Sequence, residues 1–197
     1  MNLAKLSWKN IMYRPLSSGL SILLLSSGIS IILVALLTYS QITDKFDKNG
    51  NQVDLVIGAK GSRLQLVLCN MFHVDNPTGN INYARTGFLK MHPFVEKAIP
   101  LSLGDNYETY RIVGTTKDYI DLYQGELAEG KFWNEPLQAV IGSGIADKLG
   151  LKIGDKFVGG HGMTESTHHH DEFAYKVVGV LKQNNTVLDN LLLTDVK

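Results

Sequence analysis

Residues 16–39 read LSSGLSILLLSSGISIILVALLTY, and no charged side chain occurs between Arg14 and Asp44. A run of about 20 apolar residues is long enough to cross the hydrocarbon core of a bilayer as a single helix. The serines do not break it, because a hydroxyl can hydrogen-bond back to its own helix backbone. The flanks differ in charge. Lys5, Lys9 and Arg14 precede the run, whereas Asp44, Lys45, Asp47 and Lys48 lie after it and cancel. The excess of cations on the first side predicts a cytoplasmic N-terminus, with everything after Tyr39 on the far side of the membrane. A cleaved signal peptide would have a shorter apolar core and a small-x-small cleavage site; Thr38-Tyr39-Ser40 matches that poorly, so an uncleaved anchor is expected.

Composition bounds the rest of the chain. It has 197 residues, 44% of them hydrophobic, and a formal net charge of zero. About 149 residues remain beyond the first 48, enough for one ordinary domain or two small ones. The neutral balance gives no reason to expect nucleic acid as a partner. The single cysteine, Cys69, excludes an internal disulfide framework and, in its apolar setting, is expected to be a buried small side chain.

Before the membrane run, residues 2–13 read as an amphipathic helix. Ala4, Trp8, Ile11 and Met12 share one face and Lys9 lies opposite, as in a helix lying along the cytoplasmic leaflet; Arg14-Pro15 then turns the chain into the bilayer. Within the run, Ser17, Ser21, Gly28 and Ala35 fall in a narrow stripe of small residues, where a second helix can approach closely. The polar, glycine-containing stretch DKFDKNGN, residues 44–51, marks a boundary.

Beyond it, 53–57 is a strand candidate. Ser62 is placed to cap a helix over 63–72, and a second short helix over 83–90 ends at His92-Pro93. The Gly-Lys-Gly-Ser cluster near residue 60 lacks the spacing of a phosphate-binding loop. Strands are expected over 95–103, 107–114, 139–142, 152–158, 173–181 and 187–193, with helices over 117–123 and 143–149. Gly150 suits a left-handed helix end, Gly154-Asp155 a turn, and Asp155 a cap on local amides. The alternation predicts an α+β domain.

Three strings carry a resemblance: YRIVGTTKDYIDLYQGELAEGKFW from Tyr110, AVIGSGIADKLGLKIGDKF from Ala139, and YKVVGVL from Tyr175. Their order is similar to that of the extracytoplasmic core domain of MacB/FtsX-type ABC transporter permeases, a group that includes the lipoprotein-releasing permeases. The opening SWKNIMYRPLSSGLSILLLSSGISI resembles the family's amphipathic helix and first transmembrane segment. DLVIGAKGS-x-LQL and DNPTGNI resemble a bacterial subgroup of these permeases.

The resemblance implies an interfacial helix over 1–15, a transmembrane helix over 16–39, a linker over 40–52 and a MacB-like periplasmic core domain over 53–197, in a bacterial inner membrane. It implies a permease subunit that couples ATP hydrolysis by a separate cytoplasmic ATPase to movement of the periplasmic domain. The expected partners are that ATPase, a second or homologous permease copy and membrane lipid. ATP would be bound by the partner, with no cofactor in this chain. Family permeases carry three further transmembrane helices after this domain, so the chain is expected to be the N-terminal part of a longer permease.

One cluster has ligand chemistry of its own. The stretch GHGMTESTHHHDE, residues 160–172, lies between two expected strands. Imidazoles and carboxylates suit Zn²⁺, Cu²⁺ or Ni²⁺, and in an extended loop His168 and His170 share a side that His161 could face. No fixed ligand spacing is matched, so the loop supports only an alternative reading: a single-pass, membrane-anchored periplasmic binding module. Ser143 stands between glycines without meeting the nucleophile-elbow pattern and is expected to cap a helix. No catalytic pair of carboxylates emerges, so no enzymatic activity is expected in this chain.

Overall fold

A computed structural model describes residues 3–161 and 174–196. The chain forms two compact units, Met1–Phe46 and Asp47–Lys197.

The first unit is helical. Helix α1, Leu3–Tyr13, ends at Arg14, and Pro15 opens helix α2, which runs unbroken over Pro15–Gly50. Proline is well placed there, because the first turn of a helix has no partner for the amide it lacks. Leu16, Leu25, Ile31 and Val34 all point outward, and the apolar run is not covered by any of the described residues. Some of its hydroxyls bond the helix's own backbone: Ser21 donates to the Ser17 carbonyl at 2.9 Å and Ser30 to that of Ser26 at 2.8 Å. At 1.5 Å per residue, the 36-residue helix is about 54 Å long, well beyond a hydrocarbon core of about 30 Å. The stretch 40–52, expected as a linker, is therefore helical as far as Gly50, and its last turn belongs to the second unit.

After that turn the second unit continues with helix α3, Arg63–Met71, and a 3-10 helix, Tyr83–Met91. Then come β1 (Ser102–Tyr107), β2 (Tyr110–Thr115), α4 (Lys117–Leu122), β3 (Leu127–Gly130), β4 (Gln138–Ile141), α5 (Ser143–Leu149), β5 (Lys156–Val158), β6 (Gly160–His161), β7 (Ala174–Leu181), a second 3-10 helix (Val187–Asn190) and β8 (Leu191–Asp195). The strands form one mixed sheet in the order β3-β7-β4-β8-β2-β1-β6, with β5 also paired to β7. The β2–β8 and β4–β7 pairs are parallel and the others antiparallel.

Alternation along the strands divides the core between two faces. Val113, Val140, Val178, Leu191 and Leu193 point to one side, where α4 contributes Tyr119 and Ile120. Ile112, Ala139, Ile141, Val177 and Leu192 point to the other, where α5 contributes Ile145. A strand buried on both faces reads as a continuous apolar run, which is the pattern of Leu191-Leu192-Leu193.

Several expectations shift at element ends. Residues 95–101 are not strand, and the strand begins at Ser102. The stretch 187–193 divides into a 3-10 turn and a strand, and β3 has no clear signal in the sequence.

Candidate functional site

The most connected buried polar cluster of the second unit begins in the last turn of α2. Asn49 is only 6% exposed. Its side-chain oxygen accepts the Val187 amide at 2.9 Å, and its carbonyl accepts the Tyr123 hydroxyl at 3.4 Å. Val187 opens the second 3-10 helix, so the Asn49 side chain satisfies an amide that the helix leaves without an internal partner.

The turn that receives Asn49 is itself fixed. The Asn184 side chain donates to the Tyr123 carbonyl at 3.1 Å, while its oxygen accepts the Thr186 amide and hydroxyl at 3.1 and 2.6 Å. The Asp189 carboxylate accepts the amides of Asn184 and Asn185 at 3.1 and 2.8 Å, and the Ser143 hydroxyl at 3.2 Å. Ser143 thus braces this turn from the first position of α5, behind Gly142 at the cap, instead of capping the helix as expected.

From Tyr123 the cluster runs to α3. The rings of Tyr123 and Tyr119 meet edge to face, 5.3 Å between centroids. The Tyr119 hydroxyl lies 2.6 Å from His73 Nε2. A carbonyl can only accept, so Tyr123 donates to Asn49; which of His73 Nε2 and the Tyr119 hydroxyl donates depends on the imidazole tautomer. Nδ1 is buried with no partner among the described residues. Burial, then the nearby Arg111 charge, lowers the His73 pKa to about 4, so the imidazole is neutral near pH 7. Burial raises the pKa of both tyrosines, keeping them protonated as donors.

Arg111, also 6% exposed, holds the chain at His73 in place. Its Nε donates to the His73 carbonyl at 3.2 Å, and its Nη2 donates to the Asp75 carbonyl. Both residues have positive φ, 55° and 74°, so a β-strand guanidinium fastens a loop whose backbone lies in the left-handed region. Cys69 is fully buried in α3, as expected. The cluster of Arg111, His73, Tyr119, Tyr123 and Asn49 contains none of the residues singled out from the sequence as site candidates. Its signal there is weak: an asparagine in a polar run and two tyrosines four apart.

The expected site residues lie elsewhere. Ser17, Ser21, Gly28 and Ala35 lie along α2, and no described atom stands within 4 Å of where a Cβ on Gly28 would be. His161 lies in β6, paired with Asp105 of β1; His168 and His170 fall outside the described residues. Among the described residues, no group of three or more His, Cys, Asp or Glu side chains could hold a metal ion.

The architecture is that of an α+β sheet domain continuous with one helix long and apolar enough to cross a membrane. The MacB-like periplasmic core domain model matches residues 18–196, and the chain belongs to that family. It is similar to the periplasmic region of MacB from Actinobacillus actinomycetemcomitans, with 13% identity, 79% of this chain and 70% of that chain covered, and a TM-score of 0.46. It is also similar to the extracellular domain of the ABC-type transporter YknZ from Gram-positive bacteria, with 16% identity, 71% of each chain covered and a TM-score of 0.41. A domain of a protein described as a permease from Porphyromonas gingivalis matches at 18% identity over 53% of this chain, with a TM-score of 0.36; the match spans 47% of that chain, about half its length. No curated protein matches.

Proposed function

We propose that the chain is the N-terminal part of an ABC transporter permease subunit, with α2 crossing the membrane and the sheet domain on its outer side. A separate cytoplasmic ATPase binds and hydrolyses ATP. The resulting movement of the membrane helices reaches the sheet domain through α2, and substrate is exported or released on the far side. The observation that supports this reading, beside the family match, is the continuity of α2 into a buried hydrogen-bonded seat at Asn49. A flexible linker would dissipate displacement, whereas a helix ending in such a seat passes it on. The small-residue stripe of Ser17, Ser21, Gly28 and Ala35 is the face on which α2 meets another membrane helix.

The test is capture from native membranes in mild detergent, using the permease that contains this chain. The expected result is co-purification of an ABC ATPase whose ATP turnover changes when Asn49→Ala is introduced. Recovery of the permease with no ATP-hydrolysing partner overturns the reading.

A further inference from the structure

The first 3-10 helix, Tyr83–Met91, presents an apolar ridge that none of the described residues of the second unit covers. With three residues per turn, its side chains fall into three rows. Thr86 and Leu89 turn inward and are half-buried. Arg85, Phe88 and Met91 form the outward row, with Phe88 65% and Met91 86% exposed. Phe94, just past the helix, is 92% exposed and leans on the His92 ring at 5.6 Å. Single exposed apolar groups are ordinary on a protein surface, but such a row beside aromatic rings indicates a partner.

We infer that this ridge docks on an anionic phospholipid surface. The local charge selects that partner. The full chain is neutral, yet residues 82–97 hold Arg85, Lys90 and Lys97 against the single carboxylate of Glu96. Lys90 stands 5.7 Å above the Tyr83 ring, pairing a cation with an aromatic face, as is common at a headgroup boundary. Asp118 joins Glu96 around a shallow hollow of about 250 Å³ beside Lys90 and Lys97. That mixture suits attraction to an extended anionic surface better than capture of one phosphate. Two copies meeting through this ridge would bring Arg85 and Lys90 against their own kind. The second unit is also tethered: the apolar part of α2 ends near Ile42 and the unit begins at Asp47, so a weak surface affinity operates at high local concentration. The inference does not depend on coupling to an ATPase.

The experiment uses the full chain in phosphatidylcholine vesicles, with and without phosphatidylglycerol, their acyl chains brominated to quench indole fluorescence. Trp8→Phe removes the exposed tryptophan and Phe94→Trp places a reporter indole on the ridge. Trp133, 5% exposed, remains as an internal standard of folding. The reporter's emission is expected to shift blue and to be quenched about twofold in the anionic vesicles, as for an interfacial aromatic group. Arg85→Glu with Lys90→Glu should abolish the quenching while Trp133 emission stays unchanged. A reporter signal equally unquenched in both kinds of vesicle overturns the inference. So does a blue shift that grows with protein-to-lipid ratio without quenching, which would assign the ridge to a second copy.

Discussion

At the scale of single residues, Asn49 and His73 belong to one buried cluster of hydrogen bonds and ring contacts, and they fail in different ways. Asn49→Ala leaves the Val187 amide buried and unpaired, and should destabilise the domain by about 1–3 kcal/mol. Tyr123→Phe removes the hydroxyl that donates to the Asn49 carbonyl and should cost about 1 kcal/mol. The double variant should cost about the sum, because the Tyr123 hydroxyl bonds the Asn49 backbone carbonyl, which alanine retains. Urea unfolding of the detergent-solubilised chain measures both. His73 predicts a pH dependence of definite sign. Its pKa is about 4 in the folded protein and about 6.5 when unfolded, so between those values the unfolded chain binds more protons. Stability should be level above pH 6.5 and fall by up to about 3 kcal/mol as the pH drops to 4. His73→Gln keeps an N–H donor near Tyr119 but cannot titrate, so its unfolding midpoint should vary less over the same interval.

At the scale of elements, the parts legible in the sequence are those settled by a few neighbouring residues. Gly150 ends α5 at φ 68°, and Asp155 accepts the Lys152 amide at 2.8 Å, as the local pattern suggests. Ser62 accepts the Gln65 amide at the start of α3. Other features are decided by a distant partner. The polar end of α2 continues as helix to Gly50 and Asn49 bonds residue 187, where the stretch 187–193 opens as a 3-10 turn instead of strand. No local pattern could place His73 against Tyr119, 46 positions away. Gly142 is another such position. A Cβ there would stand 2.1 Å from the Leu188 carbonyl oxygen, so backbone would have to move. Gly142→Ala should cost about 3 kcal/mol or more, and a thermal melt should show it well below Gly87→Ala, where nothing lies within 4 Å.

At the scale of the whole molecule, membrane and sheet place different demands on the sequence, and each is readable to a different degree. The apolar run of α2 is visible from composition, because a bilayer accepts little else. The sheet is visible as a set of strands but not as an order, since alternation gives each strand two faces without naming its neighbours. That order bears on biosynthesis. The β8 strand pairs with both β2 and β4, joining the β1–β2 hairpin to the β3-β7-β4 half. It is also the last of these strands to leave the ribosome. Until residue 195 has emerged, the two half-sheets have no common strand, and Asn49 waits for residue 187 although its helix was made first. A nascent chain arrested before Leu191 should therefore remain sensitive to protease across both halves, and one arrested after the domain has cleared the exit should become resistant in a single step. Such long-range closure makes for slow folding. Chains still lacking β8 thus expose two unfinished sheet edges.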